Sequence, residues 1–261
     1  MSLTARQPLS TDIRLNLKAL AAAQKSPRGT AAYSRMVNRP LARRVAAFAH
    51  AVGITPNQAT AASATLSLAG LALLALVEPR WWVGVAVAAL LAGGYVLDSV
   101  DGQIARLSGR ATRSGEWLDH TVDCLKTASL HLAVLLSWYR FTVGHATGVS
   151  DAWLLAPLLF EVVAVTTYFG LMLMPTLRPA APVPPTAPVA ASARAAEASE
   201  HPLRRWLLLP TDYGAQCWLF VLLGAPALFR WAYLALLICC ALALVAALRK
   251  WWIELRSLDA A

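Results

Sequence analysis

Charge is scarce in this chain. Asp, Glu, Lys and Arg make up 14% of it, against 58% hydrophobic residues, where a soluble domain carries roughly 25% charged residues. That balance is the composition of a membrane protein, and the length divides more naturally into apolar spans of about 20 residues than into soluble domains. Acids are scarcer still, 14 against 23 bases, for a formal net charge of +9. The excess does not point to nucleic acid, because most of the cations stand in segments that flank apolar runs, as cytoplasmic loops do. Cysteine is also rare. Cys124, Cys217, Cys239 and Cys240 all fall inside apolar runs with neither C-x-x-C nor zinc-ligand spacing, and read as reduced filler. No internal repeat is evident. No secretory signal is expected, since the first long apolar run starts only after some 50 residues.

What is present reads as an all-α integral membrane protein with six transmembrane helices and an N-terminal amphipathic juxtamembrane helix. Residues 1–31 form a polar cytoplasmic arm with one short helix over Thr11–Gln24. Residues 32–53 form an interfacial helix, in which Arg35, Arg39 and Arg43 recur every four residues beside an apolar stripe of Val37, Leu41, Val45 and Phe48. An ordinary packed helix with a solvated face fits the same pattern. Residues 54–256 form the transmembrane domain. Its spans are expected at Thr55–Val77, from Trp82, at Gly115–Tyr139, Trp153–Met174, Tyr213–Phe229 and Trp231–Trp252. Thr55 is the expected N-cap of the first span and Pro56 its first helical residue. Residues 178–203, rich in Pro and Ala, read as a disordered cytoplasmic linker. Six spans place both termini and the Lys/Arg-rich segments on the cytoplasmic side.

Against this background four acids stand out: Asp98, Asp101, Asp119 and Asp123. Asp98 and Asp101 are three apart, and Gly115, Asp119 and Asp123 are spaced by four, so each set lies along one helical face. Two such faces joined by the short loop Leu107–Ser114 aim four carboxylates into one space. A charged group at mid-bilayer depth costs about 2.5–3.5 kcal/mol, so four unpaired ones cost on the order of 10 kcal/mol. Arg106 and Lys126 are too few to offset them. Two divalent cations balance the charge, and all-oxygen ligation suits Mg²⁺ or Mn²⁺ rather than zinc. Gly102, Ala105 and Gly115 leave room beside the acids. Arg106 is placed to pair with phosphate oxygens, and the helix N-terminus at Thr55-Pro56-Asn57 favours anions on the same face. Together these describe a diphosphate site.

The pattern Asp98-x-x-Asp101-Gly102-x-x-Ala105-Arg106, eight residues, then Gly115-x-x-x-Asp119-x-x-x-Asp123 resembles the signature of the CDP-alcohol phosphotransferase (CDP-alcohol phosphatidyltransferase) family. Thr55-Pro56-Asn57-x-x-Thr60 is similar to the family's opening of the first span. The signature covers about a tenth of the chain. The resemblance implies transfer of a phospho-alcohol group from a CDP-linked alcohol to an acceptor hydroxyl, with release of CMP, in phospholipid biosynthesis. It implies Asp98, Asp101, Asp119 and Asp123 as ligands of two Mg²⁺ or Mn²⁺ ions, with Asp123 also the general base. Asn57, Thr60, Gly102, Ala105, Arg106 and Gly115 would line the CDP pocket. CDP-diacylglycerol is the expected donor, membrane lipid the surroundings, and a homodimer the expected assembly.

Outside the signature, Lys126 shares the acidic face, either binding an acceptor phosphate or serving as counter-ion. Arg110, Arg113, Arg204 and Arg205 form a basic rim for an anionic acceptor or for lipid headgroups. His131 reads as a hydrogen-bonded core histidine, and Glu161 as its structural partner or that of Lys126. His120 sits off the acidic face and is given no role. Two other readings stay open at the level of sequence: an ion-coupled transporter with an acid relay, and a membrane prenyltransferase, against which the spacing of Gly102, Ala105 and Arg106 argues.

Overall fold

The computed structural model describes residues 9–22, 30–109, 111–143, 148–179 and 203–260, and among them there are helices and turns but no strand. In chain order the helices are α1 (Leu9–Ala22), α2 (Arg39–Ala51), α3 (Pro56–Leu76), α4 (Trp81–Ser108), α5 (Arg113–Phe141), α6 (Leu155–Leu177), α7 (Arg204–Leu207), α8 (Tyr213–Cys217) and α9 (Pro226–Asp259). A π-helical turn, Ser34–Asn38, leads directly into α2. The chain forms two compact units. One comprises residues 1–66, 93–120 and 185–214, the other residues 67–92, 121–184 and 215–261.

In the first unit, small side chains set the packing. Ala42, Ala46, Ala47 and Ala49 of α2 are buried with Leu20 of α1, Ala59 of α3, and Val100 and Ile104 of α4. Alanines at helical spacing let backbones approach closely. The large apolar residues of α2 face elsewhere: Leu41 and Phe48 are exposed, and Val45 alone of the expected stripe packs on this core. Turn chemistry then sets the helix ends. After α2, Gly53 takes φ +85°. Its N–H donates to the His50 carbonyl at 3.0 Å, and the Ile54 N–H to the Ala49 carbonyl at 2.9 Å, a Schellman closure. The start of α3 is a capping box: the Gln58 N–H donates to Thr55 Oγ1 at 3.3 Å, and the Thr55 N–H to Gln58 Oε1 at 2.9 Å. Thr55 is thus the cap that its place before Pro56 predicts.

The second unit is built on aromatic packing. Trp138, Phe160, Phe229 and Tyr233 are almost wholly buried. His131 stacks on Phe160 at 3.8 Å, and its Nδ1 lies 2.7 Å from Tyr233 Oη, the core role expected of it. Gly170 of α6 lies against Trp251 of α9, leaving no room for a Cβ. The outward faces of these two helices carry exposed Leu159, Phe169, Leu242 and Val245.

Among the described residues, four stretches are long and apolar enough to cross a membrane: Pro56–Leu76, Trp81–Ser108, Asp151–Leu177 and Pro226–Asp259. Four of the six expected spans have their counterpart here, and the other two differ from expectation. α5 has the length, 29 residues, but carries Glu116, Asp119, Asp123 and Lys126 in its first half. The expected fifth span is not one continuous helix. α8 passes into a 3-10 stretch, Trp218–Gly224, and the chain breaks before Pro226. Gly224 lies hard against the Trp81 indole, and Pro226 has no N–H to continue a helix but starts one well. The sixth span therefore begins five residues earlier than Trp231. The Pro/Ala stretch 180–202 lies outside the described residues.

Candidate active site

The site belongs to the first unit and is made by helix ends. α4 runs unbroken through Asp98, Asp101, Gly102, Ala105 and Arg106 to Ser108. The chain turns at Gly109, φ +62°, and Thr112 Oγ1 accepts the Gly115 N–H at 3.1 Å to cap α5. The connection is thus shorter than the expected loop Leu107–Ser114, and Arg113 falls in the first turn of α5.

A cavity of about 470 Å³ is lined by Asn57, Thr60, Gly102, Ala105, Arg106 and Gly115, together with Asp101 and Asp119. All six residues expected to contact the nucleotide are therefore in one place. Arg113, expected at an acceptor rim, lines this cavity instead, as does His120, which the sequence left without a role. His120 Nε2 is 4.0 Å from Glu116 Oε1, one turn earlier. The N-terminal turns of both α3 and α5 line the space, and the positive end of a helix dipole favours an anion. Gly102 has room for a Cβ, whose nearest neighbour would be Arg106 Nη1 at 3.7 Å. The protein's own packing does not demand glycine there, so the small residue serves the cavity. Gly115 differs: a Cβ would sit 3.0 Å from Thr112 Oγ1 and 3.3 Å from Asn57 Oδ1, so glycine keeps the cap and Asn57 in place.

A second cavity of about 300 Å³ shares Asp101, Gly102, Arg106 and Asp119 with the first and adds Asp98. Three of the four expected metal ligands thus line one space. Asp101 is 5% exposed, and a carboxylate so buried needs donors. Thr60 Oγ1 donates to its Oδ2 at 2.6 Å, and the Gly102 N–H donates to its Oδ1. Carboxylate oxygens are the donor type that suits a divalent ion of the Mg²⁺ or Mn²⁺ kind, and among the described residues the side chains whose ligand atoms lie within 4.8 Å of one another are Asp119, His120 and Asp123 on α5.

The rest of the second cavity was not legible as a site in the sequence. It is lined by Thr30, Ser34, Asn38, Arg39, Tyr95, Ser99 and Gln103. Arg39 looked like one of a periodic set of surface cations; here its Nη2 donates to Thr30 Oγ1 at 3.0 Å. Burial draws its guanidinium below the ordinary arginine range, Tyr95 opposing and Arg35 adding to the shift. Asp212, an acid that no motif marked, is 5% exposed. It accepts the Ser34 N–H at 2.8 Å and the Gly214 N–H at 3.0 Å, and Gly214 packs on Tyr33 and Tyr95 too closely for any side chain.

The remaining expected residues lie in the second unit. α5 is unbroken from Arg113 to Phe141, so Asp123 stands one turn beyond Asp119 along the same helix. Its Oδ1 is 2.7 Å from the Nζ of buried Lys126, which is the counter-ion reading of that lysine. Glu161 does not take Lys126 or His131 as expected; its Oε2 is buried without a hydrogen-bond partner. Arg110 lies outside the described residues, and the side chain of Arg204 is not described.

The family model for CDP-alcohol phosphatidyltransferase matches residues 53–245, from the end of α2 to within α9. The chain belongs to the CDP-alcohol phosphatidyltransferase family. Two archaeal members with which it aligns are named archaetidylinositol phosphate synthase. The Pyrococcus horikoshii protein is 34% identical over 102 residues, 38% of this chain and 50% of that one. The Aeropyrum pernix protein is 31% identical over 97 residues, 37% and 47% respectively. The chain spans about half the length of the curated relatives it matches. Among solved structures of the family's fold, the Mycobacterium tuberculosis phosphatidylinositol phosphate synthase with CDP-DAG bound aligns with a TM-score of 0.50 at 20% identity, over 83% of this chain and 94% of that one. The same synthase in complex with manganese and citrate aligns with a TM-score of 0.47 at 24% identity, over 83% and 89%. The four apolar helices and family membership make this chain a multi-pass membrane protein.

Proposed function

We propose that this protein transfers a phospho-alcohol group, the phosphatidyl group of CDP-diacylglycerol, to the hydroxyl of a polar acceptor and releases CMP, a step in phospholipid synthesis. The observation that carries this reading is the meeting of two cavities on Asp101, Gly102, Arg106 and Asp119. One holds the six residues suited to a nucleotide diphosphate, the other holds the acids.

In this reading the cytidine diphosphate lies in the larger cavity, over Gly102 and Ala105, with its phosphates toward Arg106 and the N-termini of α3 and α5. Asp98, Asp101, Asp119 and Asp123 would hold two Mg²⁺ or Mn²⁺ ions. When bound, such ions neutralise charge developing on the diphosphate. Thr60 and the Gly102 N–H hold Asp101 in one orientation. The acceptor oxygen forms a bond to the phosphorus that carries the alcohol, the bond from that phosphorus to CMP breaks, and Asp123 takes the hydroxyl proton. Lys126 keeps the Asp123 carboxylate in place. The site and both termini face the cytoplasm, α2 lies in the membrane surface on its exposed Leu41 and Phe48, α5 and the α8 segment complete six crossings, and the protein works as a homodimer.

The test is CMP release by the purified protein from CDP-diacylglycerol, with glycerol phosphate and inositol phosphates as acceptors. Inositol phosphates are included because the archaeal relatives are named for a product containing that group. Asp123→Asn is expected to reduce turnover by at least about 10³-fold, as loss of a general base and metal ligand does, with helix content unchanged by circular dichroism. Full activity in that variant would sink the assignment.

A further inference from the structure

Two buried amides stand beside the acids without a task in the fold. Asn38, the last residue of the π-helical turn, is 1% exposed, and Gln103 of α4 is 4% exposed. Among the described residues, Asn38 Oδ1 and Gln103 Oε1 are buried side-chain oxygens with no hydrogen-bond partner. Both residues line the cavity of about 300 Å³ that Asp98, Asp101 and Asp119 also line. Buried polar atoms are ordinarily paired, and each exception asks what answers it. Asn38 is held from its other end, where Nδ2 donates to Ser99 Oγ at 2.7 Å.

Charge decides what can answer these oxygens. Carboxylates outnumber guanidiniums on this wall, Asp98, Asp101 and Asp119 against Arg39 and Arg106. Arg39 is turned to Thr30 Oγ1 at 3.0 Å, and Arg106 lines the larger cavity as well. The wall therefore suits a cation, and its oxygen donors suit Mg²⁺ or Mn²⁺. Such an ion gives up its water reluctantly and is ordinarily bound with several waters in place. Those waters carry hydrogens that need acceptors. An amide oxygen accepts as a carboxylate does, and it adds no negative charge to a wall that already carries three acids. At about 30 Å³ per water, the cavity has room for an ion with its water shell.

We infer that Asn38 and Gln103 are positioning residues of the metal centre. Their side-chain oxygens accept hydrogen bonds from water on a divalent ion held by the acids of this cavity. The inference rests on the metal-dependent transfer proposed above and adds to it two residues that no spacing marks.

The test titrates Mn²⁺ into the purified full-length protein in detergent, with no substrate present, and follows the free ion by electron paramagnetic resonance. Gln103→Met keeps the side chain's length and removes the oxygen. Its Kd for Mn²⁺ is expected to rise about 10- to 100-fold, as loss of an outer partner of a metal centre does. Its Tm without metal is expected to equal or exceed that of wild type, because an unanswered buried oxygen is gone; a merely structural glutamine would lower it. Gln103→Glu returns an acceptor oxygen and is expected to bind Mn²⁺ within about threefold of wild type or more tightly. Asn38→Asp should do the same, and Asn38→Leu should weaken binding. Should Asn38→Leu fail to fold, since it also breaks the bond to Ser99, the Gln103 variants decide alone. An unchanged Kd in Gln103→Met overturns the inference. So does a metal-free Tm that falls in that variant, or a Gln103→Glu protein that binds as weakly as Gln103→Met. Wild type that binds no Mn²⁺ overturns it together with the metal part of the transfer reading. A Kd raised in Gln103→Met and restored in Gln103→Glu, while wild type releases no CMP from any CDP-linked alcohol, supports the inference and overturns the transfer reading instead.

Discussion

Asp101 shows how one side chain can be read from sequence and still be understood only in its surroundings. Its place in the acidic pattern marks it as a ligand. That it is nearly buried, with Thr60 donating to one oxygen at 2.6 Å, explains why a threonine stands one turn into α3. Thr60→Val keeps the shape and removes the donor. Loss of a hydrogen bond from an outer partner of a metal ligand typically costs 10–100-fold in metal affinity. We expect the Mn²⁺ concentration for half-maximal CMP release to rise by at least tenfold, with the KM for the acceptor little changed; an unshifted metal dependence removes Thr60 from the site. Gly102 offers a complementary test. Because a Cβ there meets nothing closer than 3.7 Å, Gly102→Ala is expected to leave Tm within about 1 °C. Affinity for the CDP-linked donor should nonetheless fall several-fold, since the methyl group takes space in the larger cavity. A variant that melts early would show that the glycine serves packing after all.

Among the elements, α3 was the most legible and α2 the least. Thr-Pro-x-Gln is a complete local instruction, and the capping box at Thr55 and Gln58 follows it. Thr55→Ala should cost about 1 kcal/mol, read as a small fall in Tm. It should also weaken donor binding, because the turn it loosens carries Asn57 and Thr60 to the cavity; donor affinity equal to wild type would separate the cap from the site. In α2 the arginine period and the apolar stripe were both visible, yet neither marks the face that packs. The alanines do that, and alanine is too common in this chain to stand out. The π-helical turn at Ser34–Asn38 has no local signature either. It places Ser34 and Asn38 at the smaller cavity, and π turns recur at functional sites for this reason, since the extra residue re-aims the side chains around it.

For the whole molecule the governing fact is the scarcity of charge. α6 and α9 leave Leu159, Phe169, Leu242 and Val245 exposed, faces that suit hydrocarbon and not water. Leu242→Asp should cost about 2.5–3.5 kcal/mol at the depth of a helix centre. The expected outcome is a lower yield of membrane-inserted protein, with the residual inserted fraction still active; normal insertion would place that face away from lipid. Composition alone was enough to expect such faces. It was not enough to count spans, because hydropathy sums over a window and is blind to breaks. α5 has the length of a span with the acids of a site in it, and the stretch from Tyr213 to Gly224 is apolar but interrupted.

The sequence by itself determined the all-helical membrane class, the acidic signature, the family it resembles and six residues that line the larger cavity. Each of these is carried by local spacing or composition, and a 3.6-residue period places residues three or four apart on one face whatever the rest of the chain does. Tertiary structure alone decided the wall of the smaller cavity. Thr30, Asn38, Arg39, Tyr95 and Gln103 are spread over 74 positions and belong to two separate stretches. No period links them. They share a surface because alanines let α2 lie close against α4 and because Asp212, far along the chain, holds the Ser34 backbone in place. A signature can name the acids, but the wall of the smaller cavity lies in contacts between segments, and those exist only once the chain has folded.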